Sequence, residues 1–130
     1  METMIATLLL TFAVVALYAA FSYGFRMIQL SQEDLRADQI LVQKLETLRV
    51  YHWSSITNGY IPTDLTESFS TNGGVTYDVA IEVTPAPVVE SYSDTLRQCT
   101  VSLSWVSGGV LRNRSMTTFV SKDGLQTYKP

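Results

Sequence analysis

The sequence predicts an α+β protein in which one long N-terminal helix, apolar in its first half and amphipathic in its second, packs on a small antiparallel β-sheet. Three observations carry that prediction. Twenty-three consecutive uncharged residues, Thr3 to Phe25, follow Glu2, and no proline interrupts the helical signal before Pro62. From Arg26 to about Trp53 apolar residues recur at helical spacing. Beyond Val75 the period changes to two, which is the signature of half-buried strands.

The uncharged run comes first. At 1.5 Å per residue it makes a helix of about 35 Å, slightly longer than the ~30 Å hydrocarbon core, so a single tilted span fits. Leu8, Leu9, Leu10, Phe12, Val14, Val15, Leu17, Tyr18 and Phe21 surround the axis on all sides. A domain of 130 residues has little interior in which to bury such a helix. A secretory signal peptide would open with basic residues and carry a shorter apolar stretch, whereas no Lys or Arg precedes Arg26. Ala20-Phe21-Ser22 does offer a small-x-small cleavage site, so a removed signal, releasing a secreted domain, stands as an alternative.

Glu2 is the anomaly of this segment. An unpaired charge costs roughly 2.5 to 3.5 kcal/mol at mid-bilayer on insertion scales, so Glu2 is expected at the membrane interface or beside a partner. The nearest basic residue, Arg26, favours a cytoplasmic C-terminal side. That bias is weak, because Arg26, Arg36, Lys44 and Arg49 are balanced by Glu33, Asp34, Asp38 and Glu46. Residues 1–25 therefore read as a hydrophobic transmembrane segment, and residues 26–130 as an amphipathic helix with a globular sheet domain.

In the amphipathic half, Leu30, Ala37, Leu41, Leu45 and Leu48, with Ile40 beside them, recur at three- or four-residue steps or their multiples and define a packing face. Glu33 with Arg36 and Glu46 with Arg49 are i, i+3 pairs, while Asp34 and Asp38 repel slightly. The carboxylates Glu33, Asp34 and Asp38 read as a solvated helix face rather than a cation site. The helix is expected to end near Trp53, where Ser54-Ser55, Asn58-Gly59 and Ile61-Pro62 supply breaker chemistry. A long polar loop then runs to Asn72-Gly73-Gly74, with room for a turn of helix after Thr63.

Val75, Tyr77, Val79, Ile81 and Val83 alternate with Thr76, Asp78, Ala80, Glu82 and Thr84 in the clearest strand of the chain, which Pro85 and Pro87 end. Cys99, Val101, Leu103 and Trp105 alternate with Thr100, Ser102 and Ser104, then pass through Ser107-Gly108-Gly109 into Val110 to Val120 as a hairpin. Ser121-Lys122-Asp123-Gly124 is a further turn, leaving Leu125 to Tyr128 for a terminal strand or tail. Such a sheet needs a cover on its apolar face, and the amphipathic half of the helix supplies it.

Composition limits the function. The hydrophobic excess, 46% against 16% charged, is concentrated in the first 25 positions, and a net charge of −3 without a basic cluster argues against nucleic acid or anionic headgroups as partners. The single cysteine, Cys99, makes no intrachain disulfide and sits in a strand pattern as a small buried residue, with intermolecular pairing the alternative. His52, the only histidine, falls at the expected helix end and reads as a capping or packing residue. The serines near it lack an Asp/His arrangement, Gly73-Gly74 and Gly108-Gly109 are turn glycines, and the sequon Asn113-Arg114-Ser115 is too short to build on. No catalytic set, metal set or cofactor motif is legible, and the expected function is assembly rather than catalysis.

Glu2-Thr3-Met4-Ile5-Ala6, followed by Leu8-Leu9-Leu10 and the rest of the run, resembles the N-terminal segment of type IV pilins and pseudopilins. The specific likeness covers about Met1 to Gly24; the amphipathic continuation, the small sheet and Gly124, Leu125 and Tyr128 near the end agree in plan. The resemblance implies a basic leader removed at a glycine, a methylated new amino terminus, and a glutamate, here Glu2, that pairs with a neighbouring subunit's terminal amine. Such a leader would reverse the orientation read from Arg26 and place the sheet domain outside the cytoplasm. The resemblance further implies an inner-membrane precursor and then a helical filament of this chain, or of this chain with other pilin-like subunits, of the kind that serves adhesion, motility, DNA uptake or protein secretion. Neither leader nor cleavage glycine precedes Glu2 in this sequence, where Met1 stands instead, and the helix-breaking proline common in filament-forming members is absent, with Ala19 in about its place. A minor or pseudopilin-like subunit therefore fits as well as a major one. The competing expectation from another class is a single-pass membrane protein that binds a partner and never polymerises.

Overall fold

The computed structural model describes residues 2–58, 60–61, 68–70, 74–122 and 124. Its elements are α1 (Glu2–Val50), α2 (Trp53–Thr57), β1 (Phe69–Ser70), β2 (Thr76–Pro85), a 3-10 turn at Ser93–Thr95, β3 (Leu96–Ser107) and β4 (Val110–Ser121). The expected α+β class is observed: one 49-residue helix and a four-stranded antiparallel sheet of order β1-β2-β3-β4. The chain divides into two compact units, Met1–Leu35 and Arg36–Pro130. Hydropathy thus changes at Phe25, and compactness ten residues later.

The first unit is helix alone. Among its described residues the large apolar side chains other than Leu30 are exposed, and only Glu33 is buried, with Gly24, Leu30 and Asp34 half-buried. The second unit owns the core. Ala37, Ile40, Leu41, Leu45 and Leu48 from α1 and Ile56 from α2 meet Tyr77 and Val79 of β2, Cys99, Val101, Leu103 and Trp105 of β3, and Val120 of β4. Every one of the helix and strand residues lies on a 3.6- or 2-residue period, so the amphipathic pattern and the alternation select the same interior. Tyr77 and Trp105 are cross-strand partners, with ring centroids 5.6 Å apart at 52°.

The β3–β4 hairpin closes through Gly108 and Gly109, both at positive φ (56° and 82°), as a type I′ turn requires at its two central positions. A side chain at either place would be strained. Pro85 is the last residue of β2, paired with Arg97, and the chain returns through the 3-10 turn, where Thr95 accepts a hydrogen bond from the Lys122 amide at 2.8 Å.

Several expectations need correction. α1 ends at Val50 rather than near Trp53, and Ser54-Ser55, expected to break helix, lie inside α2. Tertiary packing overrides their weak propensity: Ile56 is buried, and the Arg97 guanidinium lies 5.7 Å from the centre of the Trp53 ring. His52 takes the N-cap position of α2 through its backbone, its carbonyl accepting from the Ser55 and Ile56 amides, while its exposed imidazole makes no capping bond. The polar stretch expected to be loop contains β1, which pairs Phe69 with Tyr77 and Ser70 with Thr76. Glu33, expected on a wet face, is buried and accepts from Gln29 one turn earlier, while the steps 37, 41, 44 and 48 define the stripe that carries Ala37, Leu41 and Leu48. Lys44 shares that stripe, and its ammonium lies 4.5 Å over the Phe69 ring while its stem is buried. The expected turn of helix after Thr63, the Asn72-Gly73 turn, Asp123 and the terminal strand at Leu125 to Tyr128 fall outside the described residues.

Candidate functional site

The segment singled out by sequence, Glu2 with the apolar run behind it, is built as uninterrupted α-helix. Glu2 is exposed and stands in the first turn, where the unpaired amides and the helix dipole favour a carboxylate. Behind it the side chains radiate on all sides: Leu8 is 58% exposed, Leu10 66% and Tyr18 75%. An 18-residue stretch of mean hydropathy 2.3, with no buried residue in it, makes α1 long and apolar enough to cross a membrane.

The polar side chains within this run are handled locally. Thr7 Oγ1 donates to the carbonyls of Thr3 and Met4, both at 3.0 Å, and Thr11 Oγ1 donates to the Thr7 carbonyl at 2.8 Å. A hydroxyl returned to its own helix presents its methyl outward, which removes the cost of exposing an unpaired donor to an apolar environment. Glu2 differs in kind, because an ionised carboxylate only accepts, and the donors open to it are the unpaired amides of the first turn and groups ahead of or beside the helix. The chemistry this arrangement offers is therefore placement of one anion at the head of an apolar rod.

The other candidate residues are dispersed. Glu33 accepts from Gln29 Nε2 at 3.1 Å, and Asp38 pairs with Arg114 of β4 at 3.5 Å. Among the described residues no group of three or more His, Cys, Asp or Glu is placed to hold a metal. Cys99 is fully buried in the core, and desolvation pushes its thiol pKa above the ordinary value, so it has the character of an inert packing residue. Asn113 and Ser115 are exposed on the outward face of β4, while Arg114 between them takes the opposite face. Two contacts invisible to sequence reading join the helix to β4: Asp38 to Arg114, and Arg49 to Thr118 at 3.3 Å. Only the carboxylates of the helix against the two arginines of β4 could have hinted at the first of them.

No protein-family model, no curated protein and no solved structure matches this chain.

Proposed function

We propose that this chain is a structural subunit, without enzymatic activity, of a type IV pilus-like or pseudopilus filament, held in the inner membrane by α1 before assembly. The observation that supports the reading most is the pairing of an apolar helical surface, exposed on every side, with one carboxylate in its first turn. A subunit moved from lipid into a bundle of such helices exchanges acyl chains for neighbouring side chains, which costs little for Leu8, Val14 or Leu17. Glu2 behaves differently. In a dry bundle it must find a cation, and a neighbouring subunit's terminal amine satisfies it in one register only, so the charge specifies stagger more than it adds stability.

Glu2→Ala tests this directly. Membrane insertion should be retained, because the substitution removes a polar group from the edge of the span, while incorporation beside wild-type subunits should be lost. Unchanged incorporation would eliminate the pairing role; silence of the substitution together with monomeric behaviour would support the single-pass, non-polymerising alternative.

A further inference from the structure

The outward face of the sheet is polar through its middle, with Asp78, Ser102, Ser104, Asn113, Ser115 and Thr117 presented to solvent or half-buried. At the β3–β4 turn the character changes. Val106 and Leu111 oppose one another across the hairpin and are 57% and 71% exposed, and Val110 beside the Gly108-Gly109 turn is 59% exposed. No charged residue occurs from Gln98 to Leu111, and the nearest charge along the chain, Arg112, pairs with Trp105 on the opposite face of the hairpin from Val106 and Leu111.

Two contacts fix where this tip lies within its unit. Arg49 reaches Thr118 and Asp38 reaches Arg114, so β4 runs alongside the helix in the same direction, and its turn lies beyond Arg114 at the Arg36 end. Leu111 stands about 10 Å past the level of Arg114 at strand rise. The same end is where the chain leads into the apolar run: ten residues, 26–35, separate Phe25 from Arg36, about 15 Å of helix. That short tether keeps the Arg36 end close to any bilayer in which the run is embedded, whatever angle the domain takes.

We propose that the hairpin tip, Val106, Val110 and Leu111, is a second membrane contact that dips into the interfacial layer of the bilayer holding α1. Three apolar side chains at and beside a type I′ turn lose water there, and the half-buried Arg112 behind them stays at the level of the headgroups. The contact belongs to the chain before assembly and restricts the tumbling of the sheet domain over the membrane. It rests on the membrane-anchoring part of the proposed function and is independent of whether filaments form.

The test uses the full chain in phosphatidylcholine nanodiscs with an environment-sensitive fluorophore on one added cysteine at a time: Val14→Cys in the apolar run, Leu111→Cys at the tip, and Phe119→Cys at the far end of β4. Phe119 is itself an exposed apolar side chain, and Cys99 is fully buried and remains unlabelled in the folded protein. Emission should be blue-shifted and quenched by spin-labelled lipid at positions 14 and 111, and neither at 119. An aqueous signal at 111 beside an inserted 14 would overturn the tip contact while leaving anchoring intact, whereas an aqueous 14 would overturn anchoring and the tip contact together. A blue shift at 111 that spin-labelled lipid does not quench, and that vanishes as protein is diluted in lipid, would assign the tip to a second copy and refute a lipid contact. If Leu111→Cys loses the near-ultraviolet signature of the Trp105 core, Val110→Cys carries the same measurement.

Discussion

Leu41→Ala should destabilise the sheet domain severely, and the adjacent Val42→Ala should hardly affect it. Leu41 is 1% exposed on the helix stripe that covers β2 and β3, while Val42, one residue on, is 48% exposed. Truncating a fully buried leucine removes its transfer free energy and leaves a cavity, together about 2 to 5 kcal/mol, whereas a half-exposed site away from special features usually changes stability by within about 0.5 kcal/mol. All core residues lie at or beyond Ala37, so the excised segment Arg26–Pro130, 105 residues, is the suitable object. With an unfolding entropy of about 2.1 cal/mol/K per residue, a loss of about 3 kcal/mol lowers its Tm by roughly 14 °C. Thermal unfolding followed by near-ultraviolet circular dichroism reads this through the Tyr77–Trp105 pair. Equal shifts for Leu41→Ala and Val42→Ala would mean that the helix does not cover the sheet, and the fold described above would be wrong.

Two further outcomes follow from single sites. The Cys99 thiol should resist modification by a water-soluble thiol reagent until the protein unfolds; because burial raises its pKa above the ordinary thiol value, its contribution to stability is fully present below the unfolded-state value and is lost as pH rises through the folded one. Stability that falls in alkali for wild type and for Cys99→Ala alike would dissociate the fall from this thiol. Asp38 and Arg114, both partly exposed and 3.5 Å apart, should show a coupling of no more than about 1 kcal/mol in a double-mutant cycle of urea unfolding, shrinking with salt; a larger, salt-insensitive coupling would reveal a buried network instead.

The helix, the β2 strand and the β3–β4 hairpin were legible in the sequence because each carries its own period: Ala37, Leu41, Leu45 and Leu48 at helical steps, Tyr77 to Val83 and Cys99 to Trp105 at every second residue. Gly108-Gly109 marked the turn by the backbone it alone permits. What sequence could not supply was everything decided by packing at a distance. The serines of α2 have weak helix propensity, and only Ile56 in the core and Arg97 on Trp53 hold that short helix. β1 has two residues and no alternation, and exists because β2 offers it an edge. Glu33 was read as part of a solvated face and is buried, and Asp38 found its cation 76 residues away in sequence. Glu2 was legible as an anomaly from its position alone, because one carboxylate stands at the head of 23 uncharged residues.

The decisive measurement is therefore cross-linking between chains through the apolar half of α1. Cysteine pairs placed on opposite faces of Thr3 to Phe25 in membranes, two per chain so that each chain can link to two neighbours, then oxidised and separated by size, should yield a ladder beyond dimer where the pair matches one repeated contact, and that ladder should disappear with Glu2→Ala. Monomers alone, or a ladder indifferent to Glu2→Ala, would contradict an assembly helix whose register is set by this carboxylate.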